Sequence, residues 1–414
     1  METLKENLKI LLSYIKMFIK WLVLSTIVGV ISGLIGTIFH KCLDLATYFR
    51  TNNTYVIYFL PVAALVITCM YASFKVKGNI NTNRVIESVR KDSDIPLVMV
   101  PLIFVSTVIT QFVGGSAGRE GAALQIGGGI GYNLSRVFKL GKNDVRIITM
   151  AGMSSVFCAL FGTPVAAAVF SLEVISVGTI NFTGFLACII ASVVSFCVSM
   201  SLGVDAVSFN PVLIDTISLG IILKVATLAL LCASLSIVFC VSIKQGRKGI
   251  EKIIKNSYLR SLIGGCVIIL LTLVCKTYDY NGAGMDVIEK ALLGDAKFYD
   301  FILKIVFTTI TISAGFKGGE IVPSFFVGAT FGCVMGTLLG IEPTLSAAIG
   351  LIAVFCGVVN CPITSIILSV ELFRAEGILL FALASGISYI MSGNFSLYKS
   401  QKIEFSKLTA SRND

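Results

Sequence analysis

Charge is what this chain has least of. Only 14% of its 414 residues are charged, against 56% hydrophobic. A soluble protein of this length needs far more charge to stay dispersed. Histidine is nearly absent too: His40 stands alone, which excludes a histidine cluster for metal binding or proton relay. The twelve cysteines show no C-x-x-C spacing, and most lie in apolar runs, as Cys69, Cys188, Cys197, Cys240 and Cys275 do. They read as small core hydrophobes, neither a disulfide frame nor a metal site. No aspartate falls within the long apolar runs, and no H-E-x-x-H occurs, so paired-aspartate and zinc-dependent intramembrane enzymes are excluded. A serine nucleophile in Gly115-Ser116-Ala117-Gly118 would lack a histidine base. Neither an enzyme nor a cofactor is expected.

What remains is a chain of uncharged stretches: Trp21–Phe39, Tyr55–Phe74, Ile95–Gly118, Ile147–Leu172, Val174–Val204, Val225–Ile243, Ile321–Ile341, Pro343–Val370 and Gly377–Tyr398. Each is near or above the ~20 residues that cross a bilayer as a helix. The expectation is one polytopic membrane domain over residues 1–414. Trp21–Phe39 has no convincing cleavage site and reads as a first retained span. The net charge of +10 is uneven. Lys244–Arg260 holds six basic residues against Glu251, and Arg136–Arg146 holds four against Asp144. With the two basic termini, these regions are expected on the cytoplasmic side of the cell membrane. Lys276–Lys304, with four basic and five acidic residues, is expected outside. This charge fits orientation and lipid contact, not nucleic-acid binding.

The chain also repeats itself. Phe157-Cys158, Pro164 and Ser171-Leu172-Glu173 match Phe355-Cys356, Pro362 and Ser369-Val370-Glu371 at a constant offset of 198. Gly118-Arg119-Glu120 lies opposite Gly319-Glu320-Ile321, and Gly127 and Gly131 match Gly328 and Gly332, at an offset of 201. Two repeats are expected, 17–205 and 216–398. The charge map implies that matching elements approach from opposite faces, so the repeats are inverted. Inverted repeats with glycine-broken helices meeting near the midplane are a transporter architecture. Such backbone is tolerated in a membrane only where it lines a cavity or is buried in protein.

Glu120 is the costliest residue in this scheme. It follows 24 uncharged residues, Ile95 to Gly118, within Gly114-Gly115-Ser116-Ala117-Gly118-Arg119-Glu120-Gly121. Intramembrane ionisable groups mark ion or proton pathways. Helices starting at Glu120 and at Glu320 would each present unpaired N–H groups and partial positive charge. Two such ends aimed at one place suit an anion, whereas cation paths are lined by carboxylates and carbonyls. The Glu120 carboxylate can itself occupy that site. Protonation would release it and admit an external anion, coupling the two ions. The other reading is a structural carboxylate held by helix amides or by Arg119. Glu173 and Glu371 end apolar runs at equivalent places, and capping is the favoured reading for both. Tyr398 closes the last run, as an interfacial anchor would.

Gly118-Arg119-Glu120-Gly121 resembles the G-(K/R)-E-G-P motif of the CLC family of chloride channels and anion–proton antiporters, with Ala122 in place of proline. Gly319-Glu320-Ile321-Val322-Pro323 resembles its G-x-F-x-P motif. Pro164 and Pro362 fall where that family starts its inner helices. The resemblance runs from the first span to Tyr398 and implies an all-α fold of two inverted-topology helical repeats. It also implies a homodimer with one pore per subunit. The tail, 399–414, is expected to carry no regulatory CBS domains.

The departures redirect the resemblance. The family's G-S-G-I-P motif is replaced by Asn79-Ile80-Asn81-Thr82-Asn83. The alignment puts Asn81 at the anion-coordinating serine, and a slip of two residues would put Asn79 or Asn83 there. Ile321 replaces the motif's phenylalanine and Glu320 precedes it, a pattern similar to the fluoride-transporting branch. Val174 stands where many chloride–proton antiporters carry an internal proton-relay glutamate. Tyr398 aligns with the tyrosine that closes the inner side of the anion site. Fluoride is strongly hydrated, and an asparagine amide offers two N–H donors where serine offers one. The resemblance therefore implies fluoride export in exchange for protons, with Glu120 as gate and proton carrier. Asn81, Tyr398, Gly121, Glu320 and Ile321 would surround the anion. Two roles fit Glu320: a proton route, or a carboxylate satisfied at a helix N-terminus. The alternative function is a chloride–proton antiporter or passive chloride channel of the same fold.

Overall fold

The structure, a computed structural model, describes residues 2–74, 81–209, 217–374 and 377–408. Asn79 and Ile80 lie outside the described residues. The first half of the chain forms α1 (Glu2–Asn52), α2 (Leu60–Ser73), α3 (Thr82–Lys91), α4 (Met99–Phe112), α5 (Glu120–Val137), α6 (Lys142–Phe161), α7 (Pro164–Glu173) and α8 (Phe185–Ser201). The second forms α9 (Leu219–Ile253), α10 (Ser257–Cys275), α11 (Met285–Leu292), α12 (Asp300–Ala314), α13 (Ile321–Leu338), α14 (Pro343–Val359), α15 (Pro362–Phe373) and α16 (Ile378–Met391). Among the described residues, seven helical stretches are long and apolar enough to cross a membrane. Large apolar side chains stay exposed along α1 and α10, for example Leu11, Phe18, Leu270 and Val274. Such continuous apolar surface suits lipid. The molecule is an all-α polytopic membrane protein.

Not every apolar run is one span. Ile147–Leu172 divides into α6 and α7, and Pro343–Val370 into α14 and most of α15. The causes are local and paired. Gly162 (φ 69°) and Asn360 (φ 57°) end α6 and α14 in the left-handed conformation. Pro164 and Pro362 then open the next helices, where their missing N–H costs nothing. The first helix is also longer than its apolar stretch. It starts at Glu2 and runs to Asn52, through the polar positions that flank Trp21–Phe39.

The matched glycines have a packing reason. α5 lies along α6, and α13 along α14, at backbone contact. A Cβ on Gly127 would sit 2.1 Å from the Gly152 carbonyl oxygen, and one on Gly328 would sit 2.4 Å from that of Gly350. Lipid tails are as apolar as the side chains, so close backbone approach of small residues supplies much of the association. α14 is buried along its length from Leu345 to Val359.

Two sets of hydrogen bonds tie the halves together, and both are reciprocal. Gly118 N donates to Gly319 O at 2.7 Å, and Gly319 N donates to Gly118 O at 2.8 Å, as an antiparallel bridge. The Glu173 carboxylate at the end of α7 accepts from Ile363 N (3.0 Å) and Thr364 N (2.8 Å) at the start of α15. The Glu371 carboxylate in α15 accepts from Val165 N (2.9 Å) and Ala166 N (2.8 Å) at the start of α7. Equivalent residues exchanging equivalent bonds require a local two-fold relation that reverses chain direction. This is the inverted repeat. Glu173 and Glu371 are the braces that capping implied.

Candidate functional site

The two glycine breaks deliver α5 and α13 head to head. Glu120 opens α5 and is fully buried. Its Oε2 accepts from its neighbour Arg119 N (3.1 Å) and from Val322 N (3.2 Å), in the first turn of α13. Val322 is the repeat equivalent of Gly121, at the same offset of 201, so the repeat itself could have singled it out. Oε1 is buried with no hydrogen-bond partner among the described residues. An anionic oxygen thus sits on N–H groups from both helix starts, where the helix dipoles favour negative charge. The Arg119 side chain does not hold this carboxylate. Its Nη1 lies 3.1 Å from His40 Nδ1 and 3.5 Å from Asp44 Oδ1, and its Nη2 donates to Leu160 O. His40 Nε2 in turn meets Asp44 Oδ2 at 2.9 Å. The sequence had no signal for this network, because His40, Asp44 and Leu160 lie 79, 75 and 41 residues from Arg119 along the chain.

Two cavities have walls that include residues at the start of α13. The first, of 610 Å³, is lined by Asp44, Arg50, Gln111, Arg119, Asp286 and Val322, among others. The second, of 730 Å³, contains Asn81, Asn83, Gln125, Ser313, Glu320 and Tyr398 in its wall. Glu120 itself is in neither lining; its donor Val322 lines the first cavity, and Glu320, just before α13, lines the second. Lys244, Arg247, Arg260, Lys317 and Lys399 also face the second cavity, against Glu87, Glu251 and Glu320. An excess of positive charge around a cleft with low-dielectric walls concentrates anions.

Of the residues named from the sequence, Asn81, Glu320 and Tyr398 line this second cavity, while Glu120, Gly121 and Ile321 do not. Asn81 is the extended residue before α3 (φ −155°, ψ 177°), and its side chain makes no capping bond. Asn83 has its Oδ1 committed to Ser400 N at 2.9 Å. Tyr398 is 3% exposed, and its hydroxyl has no hydrogen-bond partner among the described residues. Glu320 precedes α13 without a side-chain capping bond. Gly121 is buried beside it: a Cβ there would lie 3.0 Å from Gly319 Cα and 3.7 Å from Glu320 Oε2. Ile321 is fully buried and lines neither cavity. Val174 is buried just after Glu173. Thr82 and Gln125 carried no motif, yet they join α3 to α5. Thr82 Oγ1 donates to Gly121 O at 3.3 Å, and Gln125 Nε2 donates to the same oxygen at 2.9 Å.

The Tyr398 segment is held from two directions. Leu397 N donates to Val358 O at 3.0 Å, and Asn360 Nδ2 donates to Phe395 O at 2.9 Å. On the α3 side, Ser400 Oγ donates to Glu87 Oε1 at 2.7 Å, and Arg90 donates to Ser400 O. The helix that starts after Asn81 therefore also positions Tyr398.

In this all-α membrane protein two broken helices therefore meet head to head at a buried carboxylate. The family model "Voltage gated chloride channel" matches residues 62–393, and the chain belongs to that family. It is 32% identical over 395 residues to the "Chloride/fluoride channel protein" of Pseudomonas syringae pv. tomato, covering 94% of this chain and 87% of that one. It is 27% identical to the "H(+)/Cl(-) exchange transporter ClcA" of Vibrio cholerae, over 85% of this chain and 81% of that one. The crystal structure of a CLC-type fluoride/proton antiporter superposes with a TM-score of 0.88 at 28% identity, covering 93% and 98% of the two chains. A slow cyanobacterial Cl−/H+ antiporter superposes with a TM-score of 0.78 at 16% identity and shares the fold.

Proposed function

We propose that this chain exchanges fluoride for protons across the cell membrane, with Glu120 as gate and proton carrier. One observation carries the reading: the Glu120 carboxylate sits on N–H groups from both helix starts, and one of those donors, Val322, lines the first cavity. An anion bound there competes with the carboxylate for the same donors. Protonated, Glu120 loses the charge those donors stabilise and leaves the position to the anion. Asn81, Tyr398 and the amides about Gly121, Glu320 and Ile321 then take the anion from the second cavity. Glu320 serves as the proton's way into that cavity, since Val174 has no proton to give. Fluoride is favoured over chloride by the Asn81 amide and by the likeness to a fluoride/proton antiporter at 28% identity. The unit is a homodimer with one pore per subunit, both termini cytoplasmic.

The test is ion flux from vesicles reconstituted with the purified protein. Fluoride efflux with stoichiometric proton entry is expected, and chloride should move far more slowly. Equal rates for the two anions would sink the fluoride assignment. The second reading is a chloride–proton antiporter or passive channel. It is favoured by the relatives named for chloride exchange and for a chloride/fluoride channel, and it requires chloride to move at least as fast as fluoride.

A further inference from the structure

The first cavity holds a cation that the exchange scheme leaves unused. Arg50 lies in the last turn of α1 and lines this cavity together with Val322, whose N–H holds Glu120. Its guanidinium is pressed against a glycine turn. A Cβ on Gly282 would come within 2.8 Å of Arg50 Nη2, and one on Gly114 within 3.4 Å of its Cδ. Both glycines have positive φ, 61° and 87°, and the turns that they permit make the room for the side chain. Asn281 fixes the two turns to each other by donating to Gly114 O at 3.1 Å.

Within this space Arg50 finds no acceptor. Its Nε is buried without a hydrogen-bond partner, and no carboxylate lies within 4 Å of it among the described residues. Arg119, in the same cavity, spends its donors on His40, Asp44 and Leu160. A buried guanidinium N–H left unmet is expensive, and the other nitrogens of the same fork carry no protein hydrogen bond either among the described residues, so a small anion is a ligand that suits it. The acidic groups around the cavity are Asp44, Asp279 and Asp286. Asp44 is engaged by His40 and Arg119, and Asp279 by Lys297 at 3.8 Å. Asp286 lines the same cavity as Arg50 and forms no ion pair within 4 Å among the described residues.

We propose that Arg50 forms an anion station in the first cavity, where a small inorganic anion is held on its way to or from the Glu120 position. The inference rests on the exchange reading for its purpose, but not for its existence. A guanidinium fork selects by charge and size only weakly, so the station takes bromide as well as fluoride.

The experiment has two arms. Crystals of the intact protein grown in bromide are examined by anomalous diffraction. A peak at the Arg50 guanidinium is expected, and it should vanish in Arg50→Gln. In oriented vesicles, Arg50→Gln should raise the half-saturating anion concentration at the first-cavity face roughly tenfold, at an unchanged maximal rate. The opposite face should not change, and Arg50→Lys should lie between. Asp286→Asn removes the neighbouring negative charge and should lower the half-saturating value. No bromide peak in the wild type, an equal change at both faces, or weaker binding in Asp286→Asn would each overturn the station. The last result would make Arg50 a structural partner of Asp286. If chloride proves to be the cargo, the same one-sided shift appears with chloride, so the two readings fail separately.

Discussion

Gly118 and Gly319 donate to each other's carbonyl oxygens, at 2.7 and 2.8 Å, across the centre of the molecule. This pair sets the distance between the starts of α5 and α13, and so the span that the Glu120 carboxylate must bridge. The two glycines are not equally replaceable. A Cβ on Gly118 would fall 2.4 Å from Glu120 Oε2, while one on Gly319 would fall 2.5 Å from the backbone N of Gly121. A side chain can swing aside; the backbone of a packed helix start cannot. Gly118→Ala should therefore fold and displace the gate, with faster uncoupled anion flux. Gly319→Ala should lose ~1–3 kcal/mol of stability by overpacking. Thermal melting in detergent beside vesicle flux separates the two. Equal melting temperatures for both variants would contradict the geometry.

Glu120→Gln keeps the shape of the gate and removes its titration. Proton movement should fall at least ~tenfold, while anion flux continues without dependence on pH. Wild-type exchange should speed up as pH falls, because the site is released when the carboxylate is protonated. Proton pumping that survives in Glu120→Gln would assign the carrier to another residue, with Glu320 the first to examine.

The reciprocal braces predict unequal losses. Glu173 is 5% exposed and satisfies two amides and the Thr364 hydroxyl, which donates at 2.6 Å. Glu173→Ala should cost ~1–3 kcal/mol, the penalty of leaving such donors unmet. Glu371 is more open and its Val165 partner is exposed, so water can replace it, and Glu371→Ala should cost less. The same melting measurement ranks them. The reverse order would mean that burial is not what makes the brace matter.

Asn83 holds Ser400 and, through it, the Tyr398 segment. Asn83→Leu keeps the volume and removes the acceptor. If Tyr398 shapes the inner side of the anion site, chloride leak should rise by about tenfold relative to fluoride, ~1.4 kcal/mol of discrimination. Unchanged selectivity would make this tether a matter of stability alone.

Much of this arrangement was legible in the chain. The offsets of 198 and 201 located both breaks, both braces and both helix-start prolines, because an inverted repeat writes each constraint twice. The division of Ile147–Leu172 and Pro343–Val370 was harder to see. Uniform hydropathy hides a break that rests on one left-handed residue and one proline. Partners that have no repeat equivalent left no trace. Thr82 and Gln125 meet at Gly121, His40 and Asp44 meet at Arg119, and each contact follows from helix packing rather than from spacing. Asn81 was chosen by alignment, and its place in the wall of the second cavity depends on where α3 begins.

The exchanged bonds also bear on how the molecule is made. Val165 waits for Glu371, 206 residues later in synthesis, and Glu120 waits for Val322, 202 residues later. While the ribosome is still working, the first half holds helix starts whose amides have nothing to bind, inside a membrane without water to serve them. Its interior is completed only when the second half arrives. The first half has no finished form of its own, and a ribosome stalled near residue 205 should leave a product that quality-control proteases recognise.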